Sequence, residues 1–579
     1  MKRRILPWCA AGLLVALTEA SAATLYVNAT GTNPVPPFAD WPTAAVTIQD
    51  AVNAAAPGDD IVVTNGVYQT GARAVYGMSN RVAVTKPVTV RSVNGPAVTS
   101  IVGHGPIGEN AIRCAYLTNG AVLMGFTLTN GATQISGNLY TNQSGGGVWC
   151  EGSSVIVSNC VLTANTAELG GGVFGGTLND CVVTNNVAWD DDGGGGAYGS
   201  TLNNCLVAGN MSYYDGGGAS LSTLNDCMIT GNTSRYESGG GAWNCTLNNC
   251  TLTGNDASEG GGASTSTLNN CLVVGNAATG DYAVGGGVSS STLNNCTLTG
   301  NTAVRGGGAW HSTLNNCKVT GNSASLGGGT FASTVHNSTI AGNSADAGGG
   351  AFAGTLNNCI IYLNLADNGL NWSENHVYSI TFNYSCTTPD PGSGVGNITN
   401  APLFVDTSGW SNLRLQSNSP CINAGHNAYV TAATDLDGFP RIAGGTVDIG
   451  AHEFQSPSST ISYAWLQQFG LPTDGSADAA DTDHDHHNNW QEWMAGTDPT
   501  NALSVLWLAA PVVTPTNVTL TWTSVSNRLY TVEQATNLGG APAFSVLRSN
   551  LAGLPGTTSW TNTNAPVSSP RFYRLRVSP

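Results

Sequence analysis

Between Cys160 and Asn364 the chain writes one pattern of apolar and polar positions ten times. Its idealised form is Gly-Gly-Gly-Ala-x-x-Ser-Thr-Leu-Asn-Asn-Cys-x-Leu-Thr-Gly-Asn, followed by a short variable stretch. The Cys position falls at Cys160, Cys181, Cys205, Cys227, Cys250, Cys271, Cys296, Cys317, Ser338 and Cys359, at intervals of 21, 24, 22, 23, 21, 25, 21, 21 and 21 residues. Runs such as Cys296-Thr-Leu-Thr alternate apolar with polar residues, the period of a half-buried strand. A unit of about 21 residues is too short for a helix-turn-helix repeat, which needs about 33. Its Gly, Asn and Thr disfavour helix in any case. A fixed period that tolerates insertions predicts a stacked solenoid. Each coil would hold three short strands and three turns and bond to the next at about 4.8 Å.

Stacking turns repeated positions into columns. Leu178, Leu202, Leu224, Leu247, Leu268, Leu293, Leu314 and Leu356 would form an interior aliphatic ladder, with the cysteines as a second, small column beside it. The Asn that ends each unit would sit in a turn, its amide bonded to the coils above and below. The Gly triplets supply turn conformations or close backbone approach. Parallel Cβ directions within one column suit disulfide geometry poorly, and Ser338 fills the same column, so these thiols read as packing groups. Cys245 and Cys250 on one coil, and the irregular Cys114, Cys150, Cys386 and Cys421, are the better disulfide candidates, and their pairing is not readable from the sequence.

Before the repeat stand Thr47-Ile-Gln-Asp-Ala-Val-Asn-Ala-Ala and Pro57-Gly-Asp-Asp-Ile-Val-Val, which on the resemblance that follows would be the N-terminal capping helix and the first coil. With the repeat, this opening resembles the right-handed parallel β-helix proteins of the pectin-lyase-like superfamily, over roughly residues 24–455. Large bacterial surface proteins with Gly-rich, Asn-ended coils are the part of that group it is most similar to. The resemblance implies an all-β chain, a right-handed single-stranded parallel β-helix with a small C-terminal β-sandwich. For function it implies lyases, hydrolases, adhesins and inert spacers alike.

The chain divides into five segments. Residues 1–22 read as a secretory signal peptide, with Lys2, Arg3 and Arg4, an apolar core from Ile5 to Leu17, and a small-residue site at Ala20-Ser-Ala22. Residues 23–400 form the β-helix. Residues 401–456 carry Ser419-Pro-Cys-Ile-Asn-Ala-Gly425, Asp435-Leu-Asp-Gly-Phe-Pro-Arg441 and Val447-Asp-Ile-Gly-Ala-His-Glu-Phe454. These resemble the choice-of-anchor Q region, which would close the open end of the solenoid. Its Asp435, Asp437, Arg441, Asp448 and Glu453 read as a structural ion-pair network, with a catalytic cluster as the alternative. Residues 457–502 link to a module at 503–579, whose alternating runs at Val518–Trp522, Leu529–Glu533 and Arg571–Val577 resemble a fibronectin-type-III-like sandwich.

Export makes the expected location extracellular or the cell surface. The net charge of −17 falls to near −19 when the signal is removed, which argues against nucleic acid and anionic membranes as partners. No later stretch is long and apolar enough to span a bilayer.

Asp481-Thr-Asp-His-Asp-His-His-Asn-Asn-Trp-Gln-Glu492 is the sharpest chemical motif. It places oxygen ligands at loop positions 1, 3, 5, 9 and 12 through Asp481, Asp483, Asp485, Asn489 and Glu492, with the carbonyl of His487 at position 7. That spacing wraps one calcium ion, and it resembles EF-hand-like and thrombospondin-type-3-like loops. His486 departs from the pattern where Gly is wanted. A transition metal held by the histidines, or a plain acidic linker, is the alternative.

The second candidate site is the variable stretch, where all insertions fall at one point of the unit and should stack along one edge. Trp189, Tyr213, Tyr214, Tyr236 and Tyr282 there suit sugar faces, and carboxylates suit sugar hydroxyls. The expected function is binding or adhesion to an extracellular carbohydrate or surface partner through this ridge. A polysaccharide lyase or glycosidase is the alternative, with Asp190, Asp192, Asp215, Glu237 and Arg235 as its candidate catalytic groups. An inert structural spacer is the third reading.

Overall fold

The computed structural model describes residues 22–367, 371–526, 528–538, 544–563 and 570–578; the expected signal peptide lies outside them, save for its last residue. The strand Thr24–Val27 pairs in parallel with Asp60–Val63, and that with Thr89–Ser92. The helix Ile48–Ala54 comes between the first two. The Thr47 hydroxyl accepts from the Asp50 N–H to cap it, and Ile48, Ala51 and Val52 are buried under it. This is the capping helix read from the sequence, and its apolar face joins the core of the first coils.

From there to Cys386–Thr387 the chain climbs about 12 turns of a right-handed parallel β-solenoid, and only 6% of residues are helical. In the coil that follows Gly196 the strands are Ala197–Tyr198, Thr201–Asn203, Leu206–Ala208 and Met211–Ser212. The first two belong to one sheet, so three sheets form as expected, one of them with an added corner. That corner is turned by a residue in left-handed backbone, Leu221, Asn244, Thr265, Ser290 or His311 in successive coils, at φ of 44–52°. Thr330–His336 and Ala351–Asn357 run through it as single strands.

The interior is built of the columns the repeat implies. All eight ladder leucines are fully buried, and their register is parallel and unbroken, Leu202 on Leu224 on Leu247. The Cys column does more than pack. The Cys181 N–H donates to the Cys205 sulfur at 3.4 Å, and that thiol donates to the Asn203 carbonyl at 3.3 Å. Ser338 performs both roles with a hydroxyl, accepting from the Cys317 N–H at 2.9 Å and donating to the His336 carbonyl at 2.7 Å.

All fourteen described cysteines are buried free thiols. The six disulfide candidates, Cys114, Cys150, Cys245, Cys250, Cys386 and Cys421, are therefore all unbridged, and Cys245 stands in a separate column with Ser222 and Ser266. It accepts from the Ser222 N–H at 3.4 Å, and its own N–H donates to the Ser266 hydroxyl at 3.0 Å. Burial pushes the Cys114, Cys245 and Cys359 thiols up to about 12, so the reactive thiolate is scarce at neutral pH.

The turn Asn column is the polar counterpart. Asn255 donates through Nδ2 to Asn276 Oδ1 at 2.9 Å and to the Ile229 carbonyl at 3.0 Å. Its own Oδ1 accepts from the Asn232 N–H at 3.0 Å and from Asn232 Nδ2 at 2.9 Å. The same pattern recurs from Asn165 to Asn343 with every amide buried, which satisfies the backbone of a turn that water cannot reach. The triplets are needed for close approach: a Cβ on Gly262 would stand 2.5 Å from the Gly287 carbonyl oxygen.

Residues beyond Cys386 double back along the flank of the last coils. Asn337 Nδ2 donates to the Tyr429 carbonyl at 2.7 Å, and Asn358 Nδ2 to the His426 carbonyl at 2.9 Å. The cause lies in the outward residues of the Cys strands, which change from Thr297 and Thr299 to Ile360 and Tyr362. Ile360 and Ala341 share a core there with Phe404, Leu413, Cys421, Ile422 and Ile449. Beneath it, Arg441 and Glu453 form a buried ion pair at 3.7 Å, and Glu453 also accepts from the Ala443 and Asp448 N–H groups at 3.0 Å each.

The helices Tyr463–Gln468 and Asn489–Ala495 follow. Two antiparallel three-stranded sheets then close around Leu520, Trp522, Tyr530 and Val532. No helix among the described residues is long and apolar enough to cross a membrane.

Candidate functional site

Two places gather chemistry, the edge of inserted loops and the acidic loop at 481–492.

The insertions leave the solenoid between the short strand after each turn Asn and the next Gly triplet, so each lies one rung above the last. Trp189 stacks on Tyr213 with centroids 4.0 Å apart and planes 16° apart. Tyr213 and Tyr214 lie 6.2 and 6.1 Å from Tyr236, and the Arg235 guanidinium sits 5.4 Å over both Tyr213 and Tyr236. Trp189 keeps 42% and Tyr236 56% of its surface exposed, so ring faces remain available to a ligand. Tyr282, two coils further on, is 83% exposed and stands outside this stack.

Carboxylates border the rings. Asp215 accepts from the Ser238 N–H at 3.0 Å, and burial, reinforced by Glu237, Asp192 and Glu259, pushes it up to about 6. Burial and the adjacent Asp191 and Asp192 also raise Asp190. Glu259, on the next coil but one from Asp215, accepts from the Ser289 hydroxyl at 2.6 Å. The structure thus brings Asp190, Asp192, Asp215, Arg235 and Glu237 to one edge with four of the five aromatic residues.

A further row of aromatics follows the triplets. Trp149, Phe174 and Tyr198 stack at 6.1 and 5.3 Å, and Phe331 on Phe352 at 5.2 Å. Phe331 and Phe352 are 1% and 4% exposed. Their faces are spent on one another, so this row is packing and not a ligand platform.

In the acidic loop, Asp481, Asp483 and Asp485 bring one carboxylate oxygen each to within 4.8 Å of one another. Asp481 is held by the His484 and His486 N–H groups at 2.7 and 3.0 Å. His486 takes φ +78° and His484 φ +66°, so histidine accepts the left-handed turn where glycine was wanted. Asp483 Oδ2, Asp485 Oδ2 and Glu492 Oε2 are buried without a protein partner. Burial, with Asp483 and Asp485 beside it, pushes Glu492 up to about 7. Orphaned oxygens in a ring of carboxylates fit a hard divalent cation.

The other expected ligands behave differently. The Asn489 side chain accepts from the Thr482 hydroxyl and donates to the Ala477 carbonyl, both at 2.9 Å, so it braces the loop. His484 and His486 are exposed, and His487 Nδ1 lies 3.3 Å from Asp485 Oδ1. The helix after the loop is tied to the sandwich, because Arg528 donates to the Trp493 and Met494 carbonyls at 2.8 and 2.9 Å.

No protein-family model matches the chain, and no curated protein is similar to it in sequence. Solved structures that align with it include pectate lyase Pel9A, at 14% identity over 75% of this chain and 97% of that one, with a TM-score of 0.28. Another is a rhamnogalacturonan lyase, at 11% identity over 66% and 91%, with a TM-score of 0.23. The tailspike protein gp49 from Acinetobacter baumannii bacteriophage Fri1, a capsular polysaccharide depolymerase, aligns at 10% identity over 96% and 86%, with a TM-score of 0.22. Scores this low leave the solenoid assignment resting on the strand pairings themselves.

Proposed function

We propose that the chain binds extracellular carbohydrate along the edge of its inserted loops. The observation that carries this reading is the stack of Trp189, Tyr213 and Tyr236 with Arg235 across it, bordered by carboxylates. Aromatic rings with exposed faces pack on the apolar faces of sugars, and the adjoining acids accept hydroxyl hydrogen bonds. A glycan array with the purified protein, repeated with Trp189→Ala and Tyr236→Ala, tests it. Binding by the native protein that falls at least tenfold in both variants supports the reading; a blank array, or binding indifferent to both changes, removes it.

Hydrolysis is the second reading, favoured by Asp215. A carboxyl pushed up to about 6 among other carboxyl groups has the character of a general acid. Release of reducing sugar from a bound glycan, abolished in Asp215→Asn, would separate catalysis from binding.

We propose further that Asp481, Asp483, Asp485 and Glu492 hold a calcium ion, which ties the start of the helix Asn489–Ala495 to the loop before it. The ion would neutralise the loop's crowded carboxylates and orient the helix against Arg528. Calorimetric titration with Ca²⁺, compared with Zn²⁺, tests this. Tight calcium binding lost in Glu492→Gln supports it; preference for zinc favours the histidine alternative.

A further inference from the structure

The flank segment that doubles back over the coils leaves a cavity of about 500 Å³ between itself and the outer face of the Cys strands. It lies on a different sheet from the loop edge and is independent of the carbohydrate reading. The size is that of an ordinary small-molecule site.

Its walls are unusual for this chain. Arg235, Arg305 and Lys318 are the only basic residues of the regular coils, and Lys318 opens into this cavity together with Arg414, Asp437 and His452. Arg414 is committed to Asp437, donating from Nε at 2.7 Å and NH2 at 2.6 Å to its two oxygens. Asp437 also faces His452 Nδ1 at 3.1 Å. Asp435 lies behind them with both oxygens taken by the N–H groups of Asp437, Phe439 and Glu453, at 3.0, 2.9 and 3.0 Å. Each of these acids is therefore engaged within the protein.

Lys318 is not. Its ammonium makes no hydrogen bond or ion pair among the described residues; burial, with Arg414 nearby, lowers its pKa against an opposing pull from Asp437. A half-buried ammonium without a hydrogen-bonded partner costs free energy that an anion would restore. Beside it, Asn270 and Asn295 line the same wall as rungs of an outward amide ladder, Asn295 Nδ2 donating to Asn270 Oδ1 at 3.3 Å. Those amides suit hydroxyl groups. His452 is 8% exposed, and with Nδ1 on Asp437 its Nε2 is the nitrogen left for a ligand.

We infer that this cavity binds a small hydroxylated anion, with Lys318 meeting the negative group and Asn270, Asn295 and His452 meeting the hydroxyls. The negative group is a carboxylate, a sulfate ester or a phosphate ester, which one ammonium recognises by the same charge.

The test is calorimetric titration of the full chain with gluconate, glucose 6-sulfate, glucose 6-phosphate and neutral glucose. The expected result is saturable binding of at least one of the anions. Lys318→Met should weaken it at least tenfold, Lys318→Arg should retain most of it, and glucose should be at least tenfold weaker. Far-UV circular dichroism and the melting temperature confirm that each variant is folded. The inference is overturned if none of the three anions binds, if glucose binds as well as they do, if inorganic phosphate matches the best of them, or if folded Lys318→Met binds unchanged. Because Trp189 and Tyr236 lie elsewhere, Trp189→Ala should leave this binding intact; a loss there would place the anion on the loop edge and also overturn the assignment.

Discussion

Replacing Asn255 with alanine isolates the contribution of one rung of the buried amide column. The change removes the acceptor for the Asn232 backbone N–H and for one hydrogen of its Nδ2, and the donor to the Ile229 carbonyl. Asn255 is fully buried, so water does not take over. An orphaned buried polar group costs about 1–3 kcal/mol, and three of them, partly relieved by relaxation, give a loss of about 3–6 kcal/mol. The control is seven residues away. Asn248 belongs to an outward ladder, donating to Asn225 Oδ1 at 2.8 Å and accepting from Asn269 Nδ2 at 2.9 Å. It is half-exposed, so water replaces both bonds and Asn248→Ala should cost less than about 1 kcal/mol. Urea denaturation followed by circular dichroism measures the overall shift. Hydrogen exchange read coil by coil localises it, since a solenoid need not unfold in one step. Equal shifts for the two variants would refute the idea that the inner amides serve as staples.

Three further outcomes follow from the same geometry. Cys296→Ser should change stability by less than about 1 kcal/mol, because Ser338 already performs the thiol's two hydrogen-bonding roles; the melting temperature checks this. Asp215 has a folded pKa of about 6 against an ordinary 3.8, so its ionisation costs stability as pH rises between those values and the cost is complete above them. Asp215→Asn should therefore raise the melting temperature at pH 7.5 and leave it unchanged at pH 3.5. Gly262→Ala drives a Cβ to 2.5 Å from a backbone oxygen and should cost several kcal/mol, whereas Gly254, with φ +62° and nothing within 4 Å of a built Cβ, should lose only about 1–2 kcal/mol as alanine. Parallel urea melts distinguish the two.

The columns were legible in the sequence because a solenoid converts period into contact: Leu202 and Leu224 are one repeat apart and one rung apart. The acidic cluster was legible for a similar reason, since Asp481, Asp483 and Asp485 all lie within five residues of sequence. Cys245 was misassigned although the clue was present, since Trp-Asn-Cys-Thr-Leu-Asn-Asn aligns it with the Ser of Ser-Ser-Ser-Thr-Leu-Asn-Asn in a later coil. The fold-back of residues 401–456 was not legible. It depends on Asn337 and Asn358 meeting Tyr429 and His426, partners set by tertiary docking and not by spacing. The cavity beside Lys318 was hidden for the same cause, because Lys318, Arg414 and His452 come from three separated segments. Asn489 shows the limit of ligand spacing: position nine of the loop carries the right atom, but the Thr482 hydroxyl donates to that Oδ1 while Nδ2 donates to the Ala477 carbonyl.

The equivalence of successive coils reaches beyond stability. A deletion running from Thr297 through Cys317 removes 21 residues and would bring Cys296 directly onto Lys318, with donors, acceptors and glycines meeting like counterparts across the seam. Near-identical repeats in a gene invite such excisions and the matching duplications. The molecule is in this sense an adjustable ruler, able to set the reach between its aromatic edge and its folded-back flank in steps of about 4.8 Å.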